Sequence, residues 1–167
     1  INAKLFEFSK KDFSKVLNTV KKLNSDKKIH GIIVQYPVFE GWDYDILASQ
    51  IAPQKDVDGF LPDSPFNGAT ALAVWEMLTA FAKIEGFNKV ENFLQNKKIV
   101  LLGKGKTAGG PTRDLLNKKQ INFTLIDSKT KNPNRIIKQS DVVISATGKK
   151  NIINGKNLKK GSYVVGV

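Results

Sequence analysis

Short apolar runs alternate with amphipathic segments along this chain, and the alternation limits the folds open to it. Residues 29–36 and 99–103 are continuous apolar runs, as expected for strands buried on both faces of a sheet. Residues 10–24 and 70–84 carry apolar side chains at helical spacing. This rhythm predicts an α/β fold built on parallel strands.

The rhythm occurs twice, which predicts two lobes. The first is a partial α/β N-terminal substrate lobe over residues 1–68, followed by a connecting helix over residues 69–84. The second is a Rossmann-like, doubly wound dinucleotide-binding domain over residues 85–167, truncated at its C-terminus. The chain begins at Ile1 and ends at Val167 inside an apolar run, so we expect a fragment of a longer protein.

The predicted elements follow from the spacing of apolar residues and from turn-forming residues between them. In the first lobe we predict strands at residues 4–8 and 29–36, and helices at residues 10–24 and 43–52. In the second lobe we predict strands at residues 99–103, 123–127, 142–146 and 163–167. The helices predicted there cover residues 107–118 and 134–140, after a short helix and turn within residues 85–98.

The composition excludes several kinds of site. The chain has no cysteine and one histidine among 167 residues, which excludes disulfides, thiolate zinc sites and a multi-histidine metal centre. We therefore predict no metal. No apolar run approaches the roughly 18 residues that a membrane span needs, so no membrane association is expected. These absences are typical of a cytoplasmic protein.

The net charge of +12 has three interpretations. A basic surface is typical of nucleic-acid binding. Lysines spread along the whole chain are also typical of a general lysine bias, and a basic surface attracts anionic metabolites such as dinucleotides. Because the lysines are dispersed and no nucleic-acid-binding motif is present, we expect no nucleic-acid partner.

The sharpest local signal is a glycine loop, residues 103–111, which follows an apolar run and opens a helix. Its candidate cofactor-binding residues are Gly103, Lys104, Gly105, Gly109 and Pro111. Glycines let the backbone approach a pyrophosphate, and the helix start offers amides and a positive dipole end. The spacing is one residue longer than the usual fingerprint, so a plain strand-to-helix turn stays open as the alternative.

Asp127 ends the next predicted strand, where a carboxylate usually bonds the ribose hydroxyls of NAD. Lys104, Ser128, Lys129 and Thr130 are near it in sequence and would favour the extra phosphate of NADP. The two signals conflict, and Asp127 is also a candidate turn cap.

Thr147 and Gly148 follow the strand after that. Ligands in doubly wound folds lie outside the carboxyl ends of strands, so this loop is a candidate wall of the nicotinamide pocket. A simple turn fits the sequence equally well.

In the first lobe, polar residues follow a strand that is otherwise apolar. Gln35 and Pro37 end this run, and Asp56, Asp58 and Gly59 lie in a later turn. Gln35 is either a site residue at the sheet edge or a solvated strand end. The aspartates lack further oxygen ligands at regular spacing, which argues against calcium and leaves an exposed turn as the alternative.

These motifs resemble the bifunctional methylenetetrahydrofolate dehydrogenase/methenyltetrahydrofolate cyclohydrolase family. The resemblance is carried by His30-Gly-Ile-Ile-Val-Gln35-Tyr-Pro37, by Pro53-Gln-Lys-Asp56-Val-Asp58-Gly59-Phe60, by the glycine loop and by Asp127-Ser-Lys-Thr130. It runs over nearly the whole chain, and the first two motifs are the specific ones.

The resemblance implies an enzyme of one-carbon metabolism, with links to purine biosynthesis. It implies NADP-dependent oxidation of methylenetetrahydrofolate, hydrolysis of the methenyl product to formyltetrahydrofolate, and a homodimer. Gln35 and Asp58 are implied to be catalytic, and Gln35, Pro37, Asp58 and Gly59 to bind the folate in a cleft between the lobes. Gln35 would orient a catalytic lysine, and Asp58 would hold the pterin ring by paired hydrogen bonds.

The sequence also departs from the family pattern. Lys104 replaces an arginine, Gly105 a serine and Asp127 a histidine, so NAD remains possible beside NADP. The family's Tyr-x-x-x-Lys helix is expected upstream of Ile1, so we expect this stretch alone to lack cyclohydrolase activity. The alternatives are another two-lobed NAD(P)-dependent dehydrogenase, of the amino acid or shikimate type, and a basic nucleic-acid-binding module.

Overall fold

Six α-helices and four β-strands make up the regular structure of residues 1–167, all of which the computed structural model describes. The helices are α1 (Phe13–Ser25), α2 (Tyr44–Ala48), α3 (Ala69–Ile84), α4 (Val90–Leu94), α5 (Gly109–Lys118) and α6 (Pro133–Lys138). The strands are β1 (Ile99–Leu102), β2 (Thr124–Ile126), β3 (Val142–Ser145) and β4 (Tyr163–Gly166). Residue contacts divide the chain into two units, Ile1–Phe66 and Asn67–Val167.

The second unit is built on one parallel sheet with the strand order β2-β1-β3-β4. The chain leaves β1 for β2 on one side and later returns to β3 on the other side. Leu102 pairs with both Ile126 and Ser145, which brings the carboxyl ends of three strands level. Such a point, where the strand order reverses, is where doubly wound folds bind ligands.

Both faces of this sheet are covered. Ile99 and Leu101 pack with the buried residues of α3 and α4 in one core cluster. Val100 and Leu102 point to the opposite face and pack with Ile137 of α6. Positions buried on both faces of a sheet are apolar, which is why β1 and the first three residues of β3 are continuous apolar runs.

The α/β class and the Rossmann-like sheet predicted from the sequence are confirmed. The four strands predicted in the second unit, and the helices predicted at residues 107–118 and 134–140, form within two residues of their predicted limits. The apolar stripe predicted from helical spacing in α3 (Ala71, Val74, Trp75, Leu78 and Phe81 or Ala82) faces the core: Ala71, Val74, Leu78 and Ala82 are buried, and Trp75 and Phe81 are partly buried against it. This buried face packs in the same core as the sheet. The domain boundaries predicted from the sequence stay a prediction.

The first unit has little regular backbone pairing. Its core joins Val16 and Val20 of α1 to Ile32, Leu47 and Ile51. Short 3-10 turns lie at Lys10–Asp12 and Pro53–Lys55. The single backbone bridge in this unit pairs Ile32 with Asp56 in the parallel direction.

Two strands predicted in this unit are wrong. Residues 4–8 make no strand, and all of them except Phe8 are exposed. Residues 29–36 form only the bridge at Ile32, and Ile33 is 58% exposed, so this run is not buried on two faces. An apolar run forms a strand only where neighbours pair with its backbone, and here Ile29, Ile32 and Val34 serve to pack the core. The helix predicted over residues 43–52 is also shorter, because α2 ends at Ala48.

Candidate functional site

The glycine loop joins β1 to α5 with very little space around two of its glycines. Gly103 has φ +95°, and a Cβ there would lie 2.4 Å from the Ala146 carbonyl oxygen. A Cβ on Gly109 would lie 2.3 Å from the Gly103 carbonyl oxygen. Strand, loop and helix start therefore pack backbone against backbone, which only glycine allows at these two positions.

The outer surface of the same loop is open. A Cβ on Gly105 would meet no atom within 4 Å, although the Gly105 carbonyl oxygen accepts the Gly110 amide at 2.8 Å. Pro111 lies in the first turn of α5, where no amide is needed for the helix ladder. The start of α5 thus presents a positive dipole end beside an uncrowded backbone, an arrangement that fits a pyrophosphate.

Three strand ends meet at this loop. The Gly103 amide donates to the Ile126 carbonyl oxygen at 2.9 Å, and the Ala146 amide donates to the Leu102 carbonyl oxygen at 2.8 Å. The methyl carbon of Thr147 would be 3.3 Å from a Cβ on Gly103. Gly148 follows with φ +62° in open space. The structure therefore brings the glycine loop and the Thr147 loop together.

Asp127 directly follows β2, whose last residue, Ile126, accepts the Gly103 amide. One carboxylate oxygen accepts the Lys129 amide at 2.9 Å and the Thr130 hydroxyl at 3.2 Å, which caps the turn. The other oxygen receives the Lys104 ammonium at 2.9 Å. The hydrogen bond from Lys104 and that from the Lys129 amide lower the pKa of Asp127 below its ordinary value. Asp127 therefore caps the turn with one carboxylate oxygen and binds Lys104 with the other. Ser128 is exposed beside them.

In the first unit, the aspartate loop (residues 55–61) is organised by a buried carboxylate. Asp56 is 1% exposed and accepts the amides of Gly59 and Leu61 at 3.2 and 2.8 Å. Its backbone carbonyl accepts the Ser64 hydroxyl at 2.9 Å. Gly59 has φ +69°, which a side chain would disfavour. Asp56 therefore supports the loop from inside, and Asp58 is left for other contacts.

Asp58 is half-buried beside the Asp56 carboxylate. Burial, and then the charge of Asp56, raise the pKa of Asp58 above its ordinary value. A carboxylate held in this way is poorly solvated. A ligand that donates hydrogen bonds to this carboxylate would stabilise its charged form.

Gln35 is exposed, and its side-chain amide donates to the Tyr36 carbonyl oxygen at 2.8 Å. The peptide bond between Tyr36 and Pro37 is cis. Gln35 thus lies at the surface, and it does not end a strand because residues 29–36 pair only at Ile32.

Tyr44 is a residue that the sequence analysis missed. Its ring lies edge-on to Tyr36 at 5.1 Å and to Phe60 at 6.3 Å between ring centroids. It therefore connects the segment carrying Gln35 with the segment carrying Asp58. Burial, and then the charge of Asp58, raise the pKa of Tyr44 to about 12. No sequence motif marks this tyrosine; its place at the start of a short apolar helix was the available signal.

Comparison with known proteins decides the family. Residues 68–167 match the model of the tetrahydrofolate dehydrogenase/cyclohydrolase NAD(P)-binding domain, and residues 1–58 match the model of the same family's catalytic domain. The chain belongs to the tetrahydrofolate dehydrogenase/cyclohydrolase family. Each of the two matches falls within one of the two units.

Curated relatives support this family. The chain is 33% identical over 168 residues to the bifunctional protein FolD of Caldanaerobacter subterraneus subsp. tengcongensis, covering 99% of this chain and 59% of that protein. It is 31% identical over 152 residues to FolD of Macrococcus caseolyticus, covering 91% of this chain and 54% of that protein. The chain therefore spans just over half the length of these relatives.

Solved structures agree. The bifunctional enzyme FolD, a methylenetetrahydrofolate dehydrogenase/cyclohydrolase from Campylobacter jejuni, has a TM-score of 0.77 and 28% identity, over 90% of this chain and 54% of that one. The Trypanosoma brucei enzyme complexed with NADP cofactor and inhibitor has a TM-score of 0.74 and 28% identity, over 91% of this chain and 52% of that one. The family resemblance seen in the sequence is thus confirmed.

Two further findings concern other kinds of site. No group of three or more histidine, cysteine, aspartate or glutamate side chains is placed to hold a metal ion. No helix has the length and apolarity that crossing a bilayer requires.

Proposed function

We propose that the full-length protein oxidises methylenetetrahydrofolate to methenyltetrahydrofolate with NADP and hydrolyses the product to formyltetrahydrofolate. The match of both units to one folate family carries this proposal. It favours this activity over a two-lobed dehydrogenase of another type and over a nucleic-acid-binding module.

In this proposal the glycine loop binds the cofactor pyrophosphate through Gly103, Gly105, Gly109 and the start of α5, whose first turn contains Pro111. The crowded Gly103 and Gly109 fix the loop, and the open Gly105 gives the phosphates access. Bound there, NADP accepts the hydride released from the one-carbon bridge of the folate.

We propose NADP rather than NAD because of the charges around Asp127. Its carboxylate already bonds Lys104, the Lys129 amide and the Thr130 hydroxyl. The two positive charges of Lys104 and Lys129 exceed the single negative charge of Asp127. Ser128 and Thr130 offer hydroxyl donors. We therefore propose that Lys104, with Ser128, Lys129 and Thr130, binds the extra phosphate. Thr147 and Gly148, at the end of β3, are proposed to line the nicotinamide pocket.

In the first unit, Asp58 is proposed to accept hydrogen bonds from the amide-like edge of the pterin ring. The raised pKa and partial burial of this carboxylate suit a ligand that donates to it. Gln35, Pro37 and Gly59 are proposed to complete the folate site, with Gln35 orienting the acid–base group. Hydrolysis needs such a group, and we propose that it comes from outside these residues.

The wider setting is part of the same proposal. We propose a cytoplasmic homodimer that supplies formyltetrahydrofolate to purine biosynthesis, as the family resemblance implies. A domain division near residues 68 and 84 is proposed with it.

The test is a spectroscopic assay of the full-length protein with methylenetetrahydrofolate and NADP or NAD. We expect methenyl product with NADP. Asp58→Asn should lower kcat/KM for folate roughly tenfold to hundredfold, because an ionic hydrogen-bond acceptor is lost. Asp63→Asn, at an exposed carboxylate two residues beyond the loop, is the matched control and should change little. Absence of methenyl product with both cofactors would refute the proposal.

A further inference from the structure

Lys55 is the first residue of the aspartate loop, and its side chain contacts the carboxyl end of α1. It is half-buried, and its ammonium donates to the carbonyl oxygens of Leu23, Asn24 and Asp26 at 2.8, 2.7 and 2.8 Å. These carbonyls lie at the carboxyl end of α1. The last carbonyls of a helix lack partners within the helix and carry the negative end of its dipole, so one cation satisfies several of them at once.

The backbone of Lys55 makes a second connection. Its carbonyl oxygen accepts the Ile32 amide at 2.8 Å, next to the bridge between Ile32 and Asp56. Ile32 lies three residues before Gln35. Lys55 therefore joins the end of α1, the segment that leads to Gln35 and the loop that carries Asp58.

Asn24 supports the same connection from α1. Its side chain donates to the Gln50 carbonyl oxygen at 2.5 Å and accepts the Ala52 amide at 2.9 Å. The chain is thus held to the end of α1 both shortly before the aspartate loop and at its first residue. The outer part of the loop is more exposed, and Val57 is 41% exposed there.

We propose that Lys55 is a positioning residue, whose ammonium anchors the aspartate loop to the end of α1 and so sets the place of Asp58. Charge-assisted hydrogen bonds to three carbonyls hold the start of the loop more firmly than neutral ones would. Asp56 then fixes the amides of Gly59 and Leu61, so the position of Asp58 follows from the residues on both sides of it. The consequence for folate binding rests on the proposed function.

The first test compares Lys55→Met with Lys27→Met in the full-length protein. Lys27 is an exposed lysine near the same end of α1 and serves as the matched control. Lys55→Met should raise the KM for folate about tenfold and leave the KM for NADP unchanged. Lys55→Arg, which keeps the charge and the donors, should recover part of the loss. A merely structural role would lower the amount of active enzyme, and thus Vmax, without changing either KM.

The second test needs no substrate. Hydrogen exchange of the peptide that covers residues 55–61 should be at least about fivefold faster in Lys55→Met and unchanged in Lys27→Met. Unchanged exchange in Lys55→Met would overturn the anchoring role, and faster exchange with an unchanged folate KM would overturn the effect on Asp58. An inactive wild-type enzyme whose Lys55→Met variant still exchanges faster would refute the folate assignment and support the anchor.

Discussion

The glycine loop and the aspartate loop are both irregular segments, but they are held in different ways. The glycine loop is fixed by backbone packing, since Gly103 and Gly109 leave no space for a Cβ against neighbouring carbonyl groups. The aspartate loop is held by charged side chains in addition to its backbone, because the Lys55 ammonium and the Asp56 carboxylate make five hydrogen bonds. The conformation of the glycine loop therefore depends on the absence of side chains at Gly103 and Gly109. The conformation of the aspartate loop depends on the charges of Lys55 and Asp56.

The largest expected effect follows from the packing of the glycine loop. Gly103→Ala should lower the free energy of unfolding by about 3 kcal/mol, because the new Cβ clashes with the Ala146 carbonyl and the backbone has positive φ. Urea denaturation of the full-length protein measures this loss. Gly155→Ala, in the same unit with no atom within 4 Å of the new Cβ, is the matched control and should change stability little.

Gly105→Ala sharpens this test, because its Cβ would also meet nothing within 4 Å. We expect this variant to stay as stable as the wild type but to bind NADP about tenfold more weakly, since the methyl group would occupy the surface proposed for the pyrophosphate. Equal stability of Gly103→Ala and Gly105→Ala would contradict the division between a packed inner side and an open outer side.

The same difference explains how far the sequence could predict the molecule. In the second unit the central strands β1 and β3 are mostly apolar runs that neighbours cover on both faces, so composition and spacing were sufficient. The edge strands β2 and β4 are only partly buried, and their regular spacing along the chain was the signal. In the first unit the apolar run at residues 29–36 looked the same but packs through Ile29, Ile32 and Val34, and only Ile32 pairs its backbone. Periodicity cannot show whether a neighbouring strand is present.

The candidate site shows a similar limit. Gly103 and Asp127 could be predicted because their place at strand ends follows from the sheet. The contacts of Lys55 could not, since they join residues roughly 30 positions apart through one flexible side chain. Tyr44 was missed for the same reason, because only the folded chain brings its ring against Tyr36 and Phe60.

A further prediction concerns the contact between Lys104 and Asp127, for which the sequence gave conflicting signals about the cofactor. Lys104→Gln should lower kcat/KM with NADP about tenfold and leave the value with NAD nearly unchanged, because a cation proposed to bind the extra phosphate is lost. Steady-state kinetics with both cofactors measure the ratio. Lys138→Gln, at an exposed lysine of α6, is the control. An equal loss with both cofactors would show that Lys104 acts on the loop rather than on the phosphate.

The smallest expected effect is a difference in pH dependence between the two regions. The pKa of Asp58 is raised by burial and by Asp56, whereas the pKa of Asp127 is lowered by Lys104 and the Lys129 amide. Asp58 is therefore protonated first as the pH falls, and a protonated carboxyl loses an acceptor for the pterin edge.

We accordingly expect the KM for folate to rise about twofold as Asp58 becomes protonated, whereas the protonation of Asp127 in the cofactor region needs a lower pH. Steady-state kinetics over the pH range in which the enzyme stays folded measure both values, and Asp58→Asn supplies the comparison because it has no carboxyl group to titrate. If the folate KM of Asp58→Asn rose with acid as steeply as that of the wild type, the pH effect would arise elsewhere. The contrast between the two carboxylates would then have no part in substrate binding.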